Sequence, residues 1–371
     1  MRCRHCALAL PLPFFHRAIF QEDPMYDYTV SKVYPQDRTT LAKVDALLER
    51  EGIRRDGNLD YTCAIQDDDL NVIATGSCFG NTLRCLAVDS RYQGEGLMNK
   101  LITHLVDVEY GRGNLHLFVY TKVSSAKFFC DLGFHEIARV DGTLVFLENR
   151  ADGFTSYLRG LAETRRDGVS GAVVMNANPF TLGHRHLVEV AAAACDTLHL
   201  FVVSEDASLV PFSVRKQLVC AGVADLENVV VHDSGPYIIS SATFPSYFLK
   251  DDAAVNEGHA RLDIAVFCRI ARELGITRRF VGEEPTSQVT GVYNRVMREE
   301  LPAAGIELTV VPRIEVAGAV VSASTVRRAL QTGDWDTVRA LVPATTYEYF
   351  RSDEAAPVLQ LIQAAGNVVH Y

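Results

Sequence analysis

The sequence contains no run of about 18 uniformly apolar residues, so it offers no membrane-spanning helix. It has no surplus of positive charge either. Its 36 Lys and Arg stand against 46 Asp and Glu, a net charge of −10. Such a chain is a poor non-specific partner for nucleic acid or for an anionic membrane surface. An anionic substrate then needs a local basic or helix-dipole site, because the global field repels it. There is no internal repeat, no low-complexity tract, and no cysteine pairing of the zinc type. Cys3 and Cys6 form a single C-x-x-C with no second pair behind it. The nine cysteines are odd in number and scattered through apolar patterns, usage that fits buried thiols in a reducing cytoplasm. A signal peptide is disfavoured as well. The apolar run Ala7–Phe15 contains Pro11 and Pro13, and no small-x-small cleavage site follows.

What is there is ordinary globular composition, 48% hydrophobic and 22% charged over 371 residues. At roughly 150 residues per domain this makes two or three domains. Residues 1–24 read as an N-terminal extension. A first domain is expected over 25–150, a polar linker over 151–167 with a short helix at 154–163, and a second domain over 168–371. In the first block the spacing of Leu41, Val44, Leu47 and Leu48 predicts a helix over 37–50. Strands are expected at 61–66, 72–79, 83–88, 115–120, 133–138 and 143–147, with helices at 97–108 and 124–132. The second block alternates short β-rich runs (172–175, 198–203, 229–231, 279–282, 307–311) with helical patterns (183–194, 212–222, 257–274, 290–300). That alternation predicts a parallel sheet covered by helices, whose ligands sit beyond the carboxyl ends of the strands.

The most informative segment is Gly171–Leu187. A buried strand ends near Asn176, Asn178-Pro179 breaks the regular structure, and Thr181 is a good helix N-cap. Gly183 removes a side chain where a backbone needs to approach a ligand, and His184 falls in the first helical turn. Free N–H groups, a positive dipole end, a hydroxyl and an imidazole then surround one point. Such a point suits phosphate oxygens, and better still the charge that develops when an α-phosphate is attacked. A second helix start, Val321-Ser322-Ala323-Ser324-Thr325-Val326-Arg327, has the same character. Ser324 and Arg327 are three apart and share a face.

Thr181-Leu182-Gly183-His184 matches the (H/T)-x-G-H signature of the nucleotidyltransferase superfamily. Val321–Arg327 resembles that superfamily's I-S-x-S-x-x-R signature, with valine for isoleucine. The longer string Asn178–His184, with the block that precedes it, resembles the citrate lyase ligase family over about residues 26–345. The resemblance implies a Rossmann-like nucleotidyltransferase domain with ATP and Mg2+ as cofactors. Acetate would be activated as acetyl-adenylate with release of pyrophosphate. The acetyl group would then pass to the thiol of a CoA-like prosthetic group on the acyl carrier subunit of citrate lyase. By transfer, Thr181 and His184 hold the triphosphate in its transition state, and Ser324 and Arg327 bind its outer phosphates. Ser322 and Thr325 lie in the same cradle, Gly282 and Glu283 sit where ribose or adenine is contacted, and Asn178 and Gly183 belong to the nucleotide loop. Arg215, Tyr237, Tyr293 and Asn294 are candidates for which capping or surface pairing explains as much. Two other readings stay open: adenylyl transfer to another small acceptor, and a nucleotide-binding module without turnover.

In the first block, Arg91-Tyr92-Gln93-Gly94-Glu95-Gly96 follows a strand and opens a helix. It resembles the R-x-x-G-x-G pyrophosphate loop of the GNAT acetyltransferases, and residues 126–134 resemble their later helix and strand. The resemblance implies a GNAT-like α+β domain in which Arg91, Gly94 and Gly96 serve a CoA pyrophosphate. Such a domain either acetylates amines or docks the carrier's CoA-like arm. Docking explains better why both domains share one chain, since tethering raises effective concentration.

Overall fold

The computed structural model describes residues 28–238, 244, 245, 247, 252–283, 288–316 and 318–366. Cys3, Cys6, the 1–24 extension, Glu284 and Pro285 lie outside the described residues. The first part holds strands β1 (Val30–Lys32), β2 (Tyr61–Gln66), β3 (Val72–Phe79), β4 (Thr82–Val88), β5 (Phe118–Lys122), β6 (His135–Val140) and β7 (Leu144–Glu148). Its helices are α1 (Arg38–Arg50), α2 (Leu97–Gly111) and α3 (Val123–Asp131). Asp37 caps α1 by accepting from the Thr40 N–H, and Val44, Leu47 and Leu48 are its buried stripe. The strands form one sheet in the order β1-β2-β3-β4-β5-β7-β6. Helices α2 and α3 cover one face and α1 the other. This is the α+β arrangement expected of the first block.

Every pair in this sheet is antiparallel except β4 with β5. Those two pair only at Thr82↔Phe118 and Leu83↔Val119, and beyond that they part. A bulge marks the place: the β3–β4 register shifts between Thr75 and Ser77, and Cys85 adopts φ 51°. Gly76 packs beneath it. A Cβ there would lie 2.8 Å from a Leu86 methyl and 2.9 Å from a Leu105 methyl, so both leucines would have to shift to admit one.

The second part begins with α4 (Gly153–Ala162). It continues through β8 (Ser170–Met175), α5 (Leu182–Ala193), β9 (Thr197–Val202), α6 (Phe212–Gly222) and β10 (Val229–Asp233). Then come α7 (Asp252–Leu274), β11 (Ile276–Gly282), α8 (Gln288–Ala303) and β12 (Glu307–Val311). Five strands form a wholly parallel sheet in the order β10-β9-β8-β11-β12. The chain winds outward from β8 in one direction, then returns and winds outward from β11 in the other. The switch point therefore falls between β8 and β11, where an open parallel sheet offers its ligand crevice. A small hairpin, β13 (Glu315–Val316) with β14 (Ala319–Val320), leads into α9 (Ala323–Thr332), α10 (Trp335–Leu341), α11 (Ala344–Arg351) and α12 (Ala356–Ala364). The last four helices pack with α5 and α6 on one side of the sheet.

The two sheets share a core. One apolar cluster contains Phe118, Tyr120 and Phe146 of the first sheet, Phe154 and Leu161 of α4, Ile264, Phe267 and Ile270 of α7, and Ala172 and Phe201 of the second sheet. At its edge Glu148 is only 3% exposed. It accepts from the Phe154 N–H (2.7 Å), from the Tyr237 hydroxyl (3.0 Å) and from His116 Nε2 (2.6 Å). A Cβ at Gly153 would meet Glu148 Oε2 at 2.2 Å, which reserves that position for glycine.

The differences from the sequence expectation are local. The fifth strand starts at Phe118 rather than Leu115, because Leu115 is 58% exposed in the turn that closes α2. β1 and the β13–β14 hairpin were not foreseen; each is too short to carry a periodic signal. α7 begins five residues earlier than its apolar pattern does. No described helix is long and apolar enough to cross a membrane.

His199 of β9 and His232 of β10 face each other, Nδ1 to Nε2, at 3.0 Å, both buried. Burial pushes each pKa down to about 4, with Arg166 adding to the effect at His199 and His199 adding to it at His232. Unfolded histidines take up protons below about pH 6.5, whereas these stay neutral until about pH 4. Folding stability should therefore fall as pH drops through that window, by about 1.4 kcal/mol per pH unit for each proton taken up. Denaturant unfolding at several pH values will check this. The double variant His199→Gln, His232→Gln should show a shallower slope, and an identical slope would remove the pair as its source.

Candidate active site at the switch point of the parallel sheet

Thr181 closes α5 as a capping box. Its Oγ1 accepts from the His184 N–H (3.3 Å), and His184 Nδ1 accepts from the Thr181 N–H (3.1 Å). Thr181 Oγ1 lies 3.0 Å from the same Nδ1. Because Nδ1 receives a backbone N–H, the ring proton sits on Nε2. Burial, and then the positive charge of Arg327, pushes the His184 pKa down to about 4. The imidazole is therefore a neutral donor at physiological pH. Phe180 is fully buried and stacks on it, with ring centroids 5.9 Å apart and planes inclined by 15°.

The second helix start meets the first. Val321 N–H donates to the Ile314 carbonyl at 3.1 Å, fixing the chain as it enters α9. A Cβ at Gly183 would lie 3.4 Å from the Val321 carbonyl oxygen, so the backbones at the two helix starts run side by side. Ser322 caps α9 through the Thr325 N–H (3.1 Å). Its Oγ also lies 3.0 Å from Ser324 Oγ and 2.8 Å from Thr325 Oγ1. Arg327 is 3% exposed, and its Nη1 donates to the Asn178 carbonyl at 2.5 Å. Burial lowers its pKa to about 10, which leaves it cationic. Asn178 is also 3% exposed. Its Oδ1 accepts from the Val210 N–H (3.1 Å), which fixes the amide's orientation, and its Nδ2 has no partner among the described residues.

Thr181, Gly183, His184, Asn178, Ser322, Ser324, Thr325 and Arg327 thus gather at one place, after the carboxyl end of β8. Gly282 ends the neighbouring strand β11. A Cβ there would meet nothing within 4 Å, so the space above it is open. The Glu283 N–H donates to the Val311 carbonyl, and the Glu283 carbonyl accepts from Arg313 Nε (2.7 Å). Arg215 has a different place from a ligand contact. It is fully buried and donates to the carbonyls of Val210, Asn176, Val203 and Glu205, pinning the loops after β8 and β9. Tyr237 serves the Glu148 junction, Tyr293 donates to Asp263 of α7, and Asn294 is half-buried on α8. Val210 is the residue that motif reading missed: it acts through its backbone N–H, which no residue pattern encodes.

In the first sheet, Gly94 (φ 93°) and Gly96 (φ 76°) border a cavity of about 670 Å³ in the β4–β5 fork. Arg91 does not line it. Its guanidinium grips Asp89 with Nε at 2.9 Å and Nη2 at 2.8 Å.

The groups around the α5 and α9 starts are donors almost without exception: Nε2–H, the Asn178 amide, a guanidinium, hydroxyls and helix N–H groups. That set fits an anionic oxygen cluster. The His184 ring should show a protonated Nε2 and an unprotonated Nδ1, with no titration between pH 5.5 and 8. Nitrogen-15 NMR of the ring reads both, and a midpoint near 6.5 would contradict the assignment.

Residues 170–350 match the family described as citrate lyase ligase C-terminal domain. The chain is similar to the citrate (pro-3S)-lyase ligase of Klebsiella pneumoniae, 41% identical over 320 residues, 85% of this chain and 93% of the relative. It is also 38% identical to the enzyme of the same name from Haemophilus influenzae over 322 residues, 85% of this chain and 96% of the relative. Among solved structures, a putative acyl-CoA N-acyltransferase from Klebsiella pneumoniae subsp. pneumoniae MGH 78578 aligns at 18% identity and a TM-score of 0.28. That alignment covers 33% of this chain and 96% of the other.

Proposed function

The chain belongs to the citrate lyase ligase family, and from that premise we propose that it activates citrate lyase by acetylating the thiol of its acyl carrier subunit at the expense of ATP. An acetate oxygen attacks the α-phosphorus, and the bond from that phosphorus to the pyrophosphate oxygen breaks. The products are acetyl-adenylate and pyrophosphate. The carrier thiol then attacks the acetyl carbonyl, the carbon–oxygen bond to AMP breaks, and the thiol proton leaves to solvent.

One observation carries the reading: two helix starts converge on the switch point of a parallel sheet, tied by the Arg327–Asn178 hydrogen bond. Here the triphosphate meets donors held in place before it arrives. The neutral His184 gives an Nε2–H to a phosphoryl oxygen without surrendering the proton. Thr181 fixes that imidazole, and its hydroxyl lies beside it. Asn178 Nδ2, buried and otherwise unpartnered, donates to the same anion. Arg327, Ser324 and the α9 N–H groups take the outer phosphates. Gly282 and Glu283 border the nucleoside end. Magnesium enters with the triphosphate, whose oxygens and water are its ordinary ligands. We place the reaction in the cytoplasm, where free thiols such as Cys63, Cys78 and Cys85 stay reduced. Family membership disfavours adenylyl transfer to an unrelated small acceptor.

The direct test is to supply ATP, magnesium and single carboxylates and to measure acyl-adenylate and pyrophosphate. Acetate should support both, and pyrophosphate release indifferent to acetate would refute the reading. His184→Ala should cut turnover about 10²–10³-fold with the fold retained, and near-wild-type turnover would remove His184 from the mechanism. Arg327→Ala should raise the ATP requirement about tenfold or more, through lost charge and a loosened Asn178; an unchanged KM for ATP would refute its role.

A further inference from the structure

Arg215 is fully buried, and no step of the proposed reaction uses it. It stands one turn into α6, with its guanidinium over the Phe212 ring at 5.7 Å. None of its hydrogen bonds goes to a carboxylate. Nε donates to the Val210 carbonyl (2.9 Å), Nη1 to those of Asn176 (2.9 Å) and Val203 (2.7 Å), and Nη2 to that of Glu205 (2.5 Å). Burial opposes its charge, and Asp206 and Glu205 favour it. A buried cation held by carbonyl dipoles is costly, and an apolar side chain would fill the same space without that cost. The arginine is therefore there for what it holds.

The carbonyls it holds border the crevice. Asn176 follows β8, and Val203, Glu205 and Val210 begin and end the loop after β9. The guanidinium closes that loop on itself and fixes it to the end of β8. Val210 passes the constraint on. Arg215 takes its carbonyl, and its N–H donates to Asn178 Oδ1 at 3.1 Å. Asn178 is 3% exposed, and its Nδ2 has no partner among the described residues.

A primary amide has two orientations, related by a half-turn, that exchange donor for acceptor at nearly the same place. With Oδ1 committed to the Val210 N–H, Nδ2 is the atom left to a ligand. Were that N–H to move away, the amide would be free to turn, and Oδ1 would then repel an anion. Arg327 meanwhile holds the Asn178 carbonyl. One arginine thus fixes the main chain of this residue, and the other fixes its side chain through Val210.

We propose that Arg215 is a positioning residue of the adenylation step: through Val210 it locks the Asn178 amide with Nδ2 toward the phosphoryl oxygens under attack. This rests on the reading of the crevice as an acetate-activating site. Charge gathers on those oxygens as acetate attacks, so the lock acts on turnover more than on ATP binding. Arg215 itself touches no substrate.

The test is a double-mutant cycle in the full chain, read on acetate-dependent pyrophosphate release. Arg215→Lys keeps the charge but cannot span the same carbonyls. It should lower kcat about tenfold and leave the KM for ATP within about twofold. Asn178→Ala removes the donor and should lower kcat about 10²-fold. In that background Arg215→Lys should add less than about a twofold further loss, because the amide it positions is gone. A merely structural role predicts instead that the two losses multiply, and that result would overturn the proposal. So would an unchanged kcat in Arg215→Lys, or a loss confined to the KM for ATP. Should Arg215→Lys fail to fold, Val210→Pro replaces it in the cycle, with the same results expected and the same results overturning. It deletes the N–H that Asn178 Oδ1 receives and leaves Arg215 in place. Absence of acetate-dependent pyrophosphate release in the wild-type chain would instead overturn the crevice reading. The lock on Asn178 is then decided by hydrogen exchange at the Val210 amide, which should be at least about tenfold faster in Arg215→Lys than in wild type; equal rates would refute it.

Discussion

A single buried hydrogen bond, from Arg327 Nη1 to the carbonyl of Asn178, ties together the two halves of the nucleotide crevice. The partners are 149 residues apart in sequence. The bond fixes the turn that follows β8, and through it the Asn178 amide, while placing a cation beside the His184 ring. An arginine this deeply buried is costly unless its charge is answered. The Asn178 carbonyl is one group that answers it. The crevice thereby holds its donors in place before an anion arrives, which is what electrostatic preorganisation requires.

The same logic explains why His184 is kept neutral. An imidazolium would have to surrender the backbone donation from Thr181, since Nδ1 would then carry a proton of its own. It would also face Arg327 at close range. Both effects favour the neutral ring with its proton on Nε2. The capping box is at once a helix stop signal and a tautomer lock.

The two sheets are fastened rather than strung on a linker. Glu148 receives three donors from three different segments, and α7 packs against both sheets in one continuous core. Tyr247 extends that contact to the rim of the β4–β5 cavity.

Much was legible in the residues themselves. The α1 stripe, the alternation that makes a parallel sheet, Thr181 and Ser322 as caps, and the two glycines at φ above 70° before α2 are local signals. Local backbone preference decides such features, so the sequence alone determines them. The convergence of the two signatures is of another kind. It depends on a strand order that puts β11 beside β8 and on a hairpin that turns α9 back toward α5. The same holds for Arg215, a candidate for which capping or surface pairing explained as much as ligand contact, and which pins two loops. Arg91 reads as a phosphate ligand but is held by Asp89, two residues away. Val210 and Tyr247 carry no motif at all, because their roles arise from contacts 32 and 127 residues distant. Pattern and propensity specify which helix ends can bind an anion. Only packing, which brings distant segments within hydrogen-bond reach, decides which of them share one.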